Sequence, residues 1–149
     1  MKRLIFILTL ACGWFFSQGQ PEIVKTDSWK VRWNKKTILE TGTENETENT
    51  KKIKKTDLNK NYTLELYYKE ADLEKETHWN RSFLLFDEKD NQLLKKDSSS
   101  LVKISSAELK NAFANKNKIR IYTIAIPLDP ELAARVRVRR VHLCTLELQ

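Results

Sequence analysis

The sequence predicts a mostly β protein: an antiparallel β-sandwich, of immunoglobulin-like or jelly-roll type, with one short helix. Three observations lead there. Apolar and polar residues alternate with period two in Trp29-Lys30-Val31-Arg32-Trp33 and again across residues 62–68, the pattern of half-buried strands. Asparagine and aspartate recur at short intervals, at Asn34, Asn59, Asn61, Asp90, Asn91, Asn115 and Asn117, as turns require where glycine is scarce. A full helix-start signal occurs once, at Ser105-Ser106-Ala107-Glu108, a capping box opening a helix to about Phe113. Sheets with one apolar face are stable only when two of them pack together.

The strands follow in order. Residues 29–33 and 37–39 form a hairpin across Asn34-Lys35. Residues 41–50, TGTENETENT, carry no periodicity and read as a mobile loop. Residues 51–55 hold four lysines around Ile53, which suits an edge strand whose charges discourage pairing with other chains. Residues 62–68 give the clearest strand, with Tyr62, Leu64, Leu66 and Tyr68 on one face and Tyr67 on the other. Residues 82–86 and 92–95 form a second hairpin, 101–104 a further strand, and 118–126 a long apolar strand ended by Pro127. Asp129-Pro130 has the cap-then-proline form that starts a helical turn. Residues 134–148 read as the last and longest strand. A faint duplication runs beneath this order. Ile53 and Leu58 precede one strand at the spacing at which Ile104 and Leu109 precede another, each pair following a tryptophan-led hairpin.

Residues 1–19 read as an export signal. Lys2 and Arg3 form its charged start, residues 4–16 are apolar apart from Thr9 and too short to span a bilayer, and Ser17 and Gly19 suit signal-peptidase cleavage. A single domain, 20–149, follows. Cys12 offers a lipoprotein alternative, although Thr9 stands where such a signal carries leucine. The expected location is therefore the periplasm, the envelope or the medium, with no transmembrane segment once the leader is removed. In leader, size and composition the chain resembles the small exported β-sandwich proteins of Gram-negative bacteria; the resemblance implies a fold and a location and carries no catalytic residue.

Composition then excludes whole classes of chemistry. The chain has three glycines, Gly13, Gly19 and Gly42, and only the last survives leader removal. Glycine-dependent phosphate loops, dinucleotide fingerprints and nucleophile elbows are thereby ruled out. Cys144 is the one cysteine outside the leader, so no internal disulfide forms. Without Lys2 and Arg3 the chain carries 25 Lys and Arg against 20 Asp and Glu, an excess of five. That balance suits anionic polysaccharide, lipid headgroups or an acidic envelope protein, and falls short of a nucleic-acid binder.

His142 and Cys144, two apart in a regular strand, would share a face, but no third ligand accompanies them, and no metal or cofactor is expected. Asp87, Glu88 and Asp90 fall together in a hairpin turn, where such residues serve backbone geometry. Trp29 and Trp33 flank Val31 on one face and read as core, which leaves Tyr67 as the candidate aromatic platform for a sugar ring. The most unusual feature is Arg135, Arg137 and Arg139 alternating with Val136 and Val138, with Arg140 as a fourth cation. Arginines repeating along one strand face form a ladder able to bind phosphate, sulfate or carboxylate groups bidentately. The expected function is a non-enzymatic exported binding or structural module, with a small envelope-polysaccharide hydrolase using Asp87, Asp90 or Glu131 as the alternative.

Overall fold

The computed structural model describes residues 26–149 apart from 73, 74, 76, 77 and 99. Residues 1–19, read from the sequence as an export signal, lie outside the described residues, Cys12 and the expected cleavage site included. Among the described residues nine strands run in chain order: β1 (Ser28–Trp33), β2 (Lys36–Thr41), β3 (Thr50–Ile53), β4 (Leu64–Lys69), β5 (Trp79–Phe86), β6 (Gln92–Asp97), β7 (Leu101–Ile104), β8 (Lys118–Pro127) and β9 (Val141–Leu148). A 3₁₀ turn, Lys55–Asn59, follows β3; helix α1, Ser106–Ala112, follows β7; helix α2, Pro130–Arg135, follows β8. The described residues therefore hold two short α-helices, where one was expected. No helix among them is long and apolar enough to cross a membrane.

The strands form two sheets, ordered β2-β1-β4-β7 and β3-β9-β8-β5-β6. Reversing the second order, to β6-β5-β8-β9-β3, exposes the duplication hinted at by the sequence. Each half begins with a hairpin (β1-β2, β5-β6) and later returns a strand beside the hairpin's first member (β4, β8). Each half also sends its third strand (β3, β7) to the edge of the opposite sheet. Only β9 has no counterpart, and it sits between β8 and β3. Both third strands run into a helical turn that drops a leucine, Leu58 or Leu109, into the core, and the two turns pack against each other. The first sheet is antiparallel throughout, but β3 pairs in parallel with β9, which makes the second sheet mixed. Parallel neighbours need a long connection, and nearly the whole domain lies between these two strands.

Inward residues follow the period-two pattern. Trp29, Val31 and Trp33 from β1 and Leu64, Leu66 and Tyr68 from β4 meet Phe83 and Leu85 from β5 and Ile119 and Ile121 from β8. Trp29 and Tyr68 stack with centroids 6.2 Å apart, and the Trp29 indole donates to the Leu143 carbonyl at 2.8 Å, a hydrogen bond from one sheet to the other. The turns use the expected residues: Asn34, Asp90 and Asn115 take left-handed backbone (φ 46°, 64° and 59°), joined by Lys35 at 67°. Gly42 serves a close approach, since a Cβ there would lie 2.6 Å from the Asp27 carbonyl oxygen.

The expected mobile loop between β2 and β3 is instead tied down. Asn45 accepts from the Glu48 amide, Thr50 donates to the Glu46 carbonyl, and Asn49, buried, donates to the Thr43 carbonyl. Its polar residues make turns against their own backbone, which is why the segment shows no apolar period. The edge strand expected at 51–55 is β3; its last residues turn into the 3₁₀ segment.

At α1 the capping box forms as expected. Ser105 Oγ accepts from the Glu108 amide, and Glu108 accepts in return from the Ser105 amide at 2.8 Å. Ser105→Ala is expected to destabilise the domain by about 1 kcal/mol, because α1 carries Leu109 into the core. Urea unfolding checks it: an unchanged midpoint would mean the cap contributes nothing.

Candidate functional site

The arginine segment departs from its expected geometry. Asp129 Oδ1 accepts from the Glu131 amide at 2.9 Å, and Pro130 occupies the first turn, where its fixed φ suits a helix and its missing N–H costs nothing. Ala133 and Val136 then donate to the Asp129 and Leu132 carbonyls. The chain is thus helical through Arg135, and the last strand begins at Val141 rather than Ala134. Between them, residues 136–140 belong to no strand. The alternation of Arg135, Arg137 and Arg139 with Val136 and Val138 predicts a strand ladder here; the helix instead runs through Arg135, and residues 136–140 pair with no strand among the described residues.

The alternation in exposure survives without the strand. Arg135, Arg137 and Arg139 are exposed while Val136 and Val138 are half-buried. The four guanidiniums nevertheless divide into two kinds. Arg139 Nη2 lies 2.7 Å from Glu44 Oε1, joining the segment to the β2–β3 loop. Arg140 grips Asp90 with both terminal nitrogens, at 3.2 and 3.1 Å, and lies over the Phe86 and Tyr122 rings at 4.7 and 5.2 Å. Hydrogen bonding to Arg140 holds the Asp90 carboxyl below its usual range. Arg135 and Arg137 are exposed and have no side-chain partner among the described residues. Two arginines fasten the segment and two present charge to solvent.

Immediately before them lies the second unusual feature. Among the described residues the exposed large hydrophobics are Ile126, Leu128 and Leu132, at 42, 63 and 36% exposure. All three fall within seven consecutive residues that lead into Arg135. α2 buries none of its side chains.

Tyr67 lies on the outer face of the first sheet and lines a groove of about 670 Å³ with Lys30, Arg32, Glu40 and Lys69. It is half-buried. Its hydroxyl accepts from Arg32 Nη1 at 3.3 Å and donates to Glu65 Oε2 at 3.2 Å, while Arg32 also donates to the Lys35 carbonyl. Lys30 pairs with Glu40 at 3.1 Å, and Lys103 with Glu65 at 3.5 Å. Two of the groove's cations, Lys30 and Arg32, are engaged by Glu40, Glu65 and the Lys35 carbonyl, while Lys69 is exposed and has no side-chain partner among the described residues.

His142 and Cys144 do not share a face. The β8–β9 register slips between Ile121 and Tyr122, so Cys144 pairs with Ile121 and His142 with Tyr122, with Leu143 as the extra residue. Such a bulge switches the side to which residues on either side of it point. Cys144 is fully buried in the core, and burial pushes its thiol up to about 12, far from a nucleophile's range. His142 instead meets the edge of Tyr122 and places Nε2 2.9 Å from Thr145 Oγ1, and burial pushes its imidazole below the usual range. Among the described residues no three His, Cys, Asp or Glu side chains are grouped to hold a metal.

Two of the three carboxylates of the hydrolase alternative, Asp87 and Asp90, are occupied locally. Asp87 accepts from the Lys89 and Asn91 amides and the Asn91 side chain, closing the β5–β6 turn. Asp90 holds Arg120 and Arg140, and Glu131 lies in the first turn of α2.

A different carboxyl pair, not picked out from the sequence, sits at one end of the core. Asp27 accepts from the Tyr68 hydroxyl at 2.7 Å and the Ala71 amide at 2.9 Å; Glu70 is ion-paired with Arg81, whose guanidinium lies 3.9 Å over the Tyr68 ring and donates to Thr123. Burial pushes the Glu70 carboxyl up. Asp27 is also partly buried, but its hydrogen bonds from Ala71 and Tyr68 hold it below its usual range. Both side chains of the Arg81–Glu70 pair are over nine-tenths buried, and neither Asp27 nor Glu70 lines the Tyr67 groove. The available signal was a charged residue in phase with Phe83 and Leu85, on the inward face of an apolar run. Starting the strand at Ser82 left Arg81 outside it.

Comparison with protein-family models, curated proteins and solved structures finds no match to this chain.

Proposed function

We propose that this protein is a non-enzymatic exported binding module that engages anionic ligands through the segment around Arg135 and Arg137. One observation carries the reading: these two guanidiniums are exposed and unpaired, while Arg139 and Arg140 beside them are tied to Glu44 and Asp90. A guanidinium presents a planar fork of donors to phosphate, sulfate or carboxylate, and neither of these two is ion-paired among the described residues. The anchored pair ties the segment to the β2–β3 loop and the β5–β6 turn, so the free pair is displayed from a fixed base. The excess of basic residues adds attraction at longer range.

The test is binding to a short heparin fragment, measured by calorimetry on the chain from Gln20. That form retains both sheets, which span residues 28–148. Exposed contacts of this kind are individually weak and screened by salt, so affinity should fall steeply as salt rises. Replacing Arg135 and Arg137 with serine is expected to weaken binding about tenfold or more and leave the melting temperature within about a degree, since surface changes of this kind shift stability little. Replacing Arg139 and Arg140 should instead lower the melting temperature. If the Arg135/Arg137 variant binds as wild type does, the reading is wrong.

A further inference from the structure

We infer that the anionic ligand is a lipid surface, and that Ile126, Leu128 and Leu132 enter its headgroup region while Arg135 and Arg137 meet the phosphates. The inference rests on the preceding reading and names its ligand.

It starts from the chain's exposed apolar side chains. Single exposed leucines are ordinary, but here every exposed large hydrophobic among the described residues falls in one seven-residue stretch. Seven residues span at most about 24 Å fully extended, and less here because α2 coils part of the stretch, so the three side chains emerge from one short segment. The segment is held in place: β8 pairs with β5 up to Pro127, and the Leu128 amide donates to the His78 carbonyl at 2.8 Å.

The charge beside the segment selects the partner. An apolar face alone would suit another protein. An apolar face running directly into two unpaired arginines matches an anionic bilayer, where hydrophobic side chains sink to the acyl boundary and guanidiniums remain among the phosphates. The acidic residues of the segment are Asp129 and Glu131, and Glu131, one turn before Arg135, forms no ion pair with it among the described residues. Asp129 caps the helix and Glu131 occupies its first turn, while Arg135 closes its last. A soluble sulfated or carboxylated glycan would use the arginines and gain nothing from Leu128.

The experiment compares flotation of the chain from Gln20 with vesicles of phosphatidylcholine, with and without roughly a third of phosphatidylglycerol. Calorimetry with the heparin fragment runs in parallel. Wild type is expected to float with the anionic vesicles and not with the neutral ones. The L128S/L132S variant should lose vesicle affinity by about tenfold or more and keep its heparin affinity, whereas R135S/R137S should lose both. Both leucines are exposed, so L128S/L132S should melt as wild type does; if it does not, Leu128→Gln alone takes its place.

Vesicle binding that ignores the leucines, or heparin binding with no vesicle binding, would overturn the lipid assignment and leave the anion-binding reading standing. Failure to bind either probe would overturn both. Sedimentation decides the remaining occupant: a dimer abolished by L128S/L132S would mean that a second copy of the chain covers the segment, and the lipid assignment would fall.

Discussion

Replacing Arg81 with methionine is expected to destabilise the domain by about 3–5 kcal/mol, among the largest effects of any single change. Arg81 lies on the inward face of β5, 7% exposed, paired with Glu70, stacked over Tyr68 and donating to Thr123. Removing it leaves Glu70 beside Asp27 with no cation between the sheets. Glu70, its carboxyl already raised by burial, can take up a proton, so the lower end of the range is the better expectation. The double variant R81M/E70Q should recover much of the loss, because a buried ion pair is costly to break and cheap to replace as a whole. Urea unfolding at neutral pH measures both; an Arg81→Met loss below about 1 kcal/mol would mean that the network is not fully desolvated. Acid provides an independent check. The Asp27 carboxyl is depressed in the fold, so its contribution is present above its unfolded value and is lost as pH falls through the folded one. The Asp27 contribution should therefore weaken below about pH 4, while Glu70, its carboxyl raised by burial, titrates in the opposite sense.

Trp29→Ala is expected to cost about 3–5 kcal/mol, the range for removing a large buried aromatic side chain. The indole is 4% exposed, stacks on Tyr68, and supplies the hydrogen bond to Leu143 that joins the two sheets. Trp29→Phe separates these roles: it retains most of the ring burial and leaves the Leu143 carbonyl without its donor, at about 1–3 kcal/mol. If phenylalanine proves as damaging as alanine, the hydrogen bond rather than the packing holds the sheets together. If both are mild, the core near Asp27 is loosely packed.

Local periodicity made most of this fold legible. The inward faces of β1 and β4, the Asn34-Lys35 turn, the Ser105 capping box and the span of β8 all follow from alternation or capping within a few residues, where the physics is local. Long-range choices were not legible in the same way. Nothing near Thr50 signals that β3 pairs in parallel with β9, and nothing near Leu143 signals the bulge that separates His142 from Cys144, because both depend on a partner strand far away in the chain. The arginine segment shows two local signals in competition. Val136 and Val138 alternate as a strand would, yet the Asp129-Pro130 start carries the helix through Arg135, and no neighbouring strand pairs with residues 136–140. Exposure of the arginines followed from the alternation; their division into two anchors and two free cations depended on Glu44 and Asp90, which only folding brings near. Tyr67 was correctly placed on the outer face, but Arg32 and Glu65 hold its hydroxyl, and neither engagement shows in its own strand pattern.

The most direct test of the central claim is to map amide chemical-shift changes on labelled protein as the heparin fragment is added. The account predicts that changes concentrate in residues 126–140, strongest around Arg135 and Arg137, and fade with added salt. Changes centred on Tyr67, Arg32 and Lys69 in the groove of the first sheet, with residues 126–140 unmoved, would contradict it.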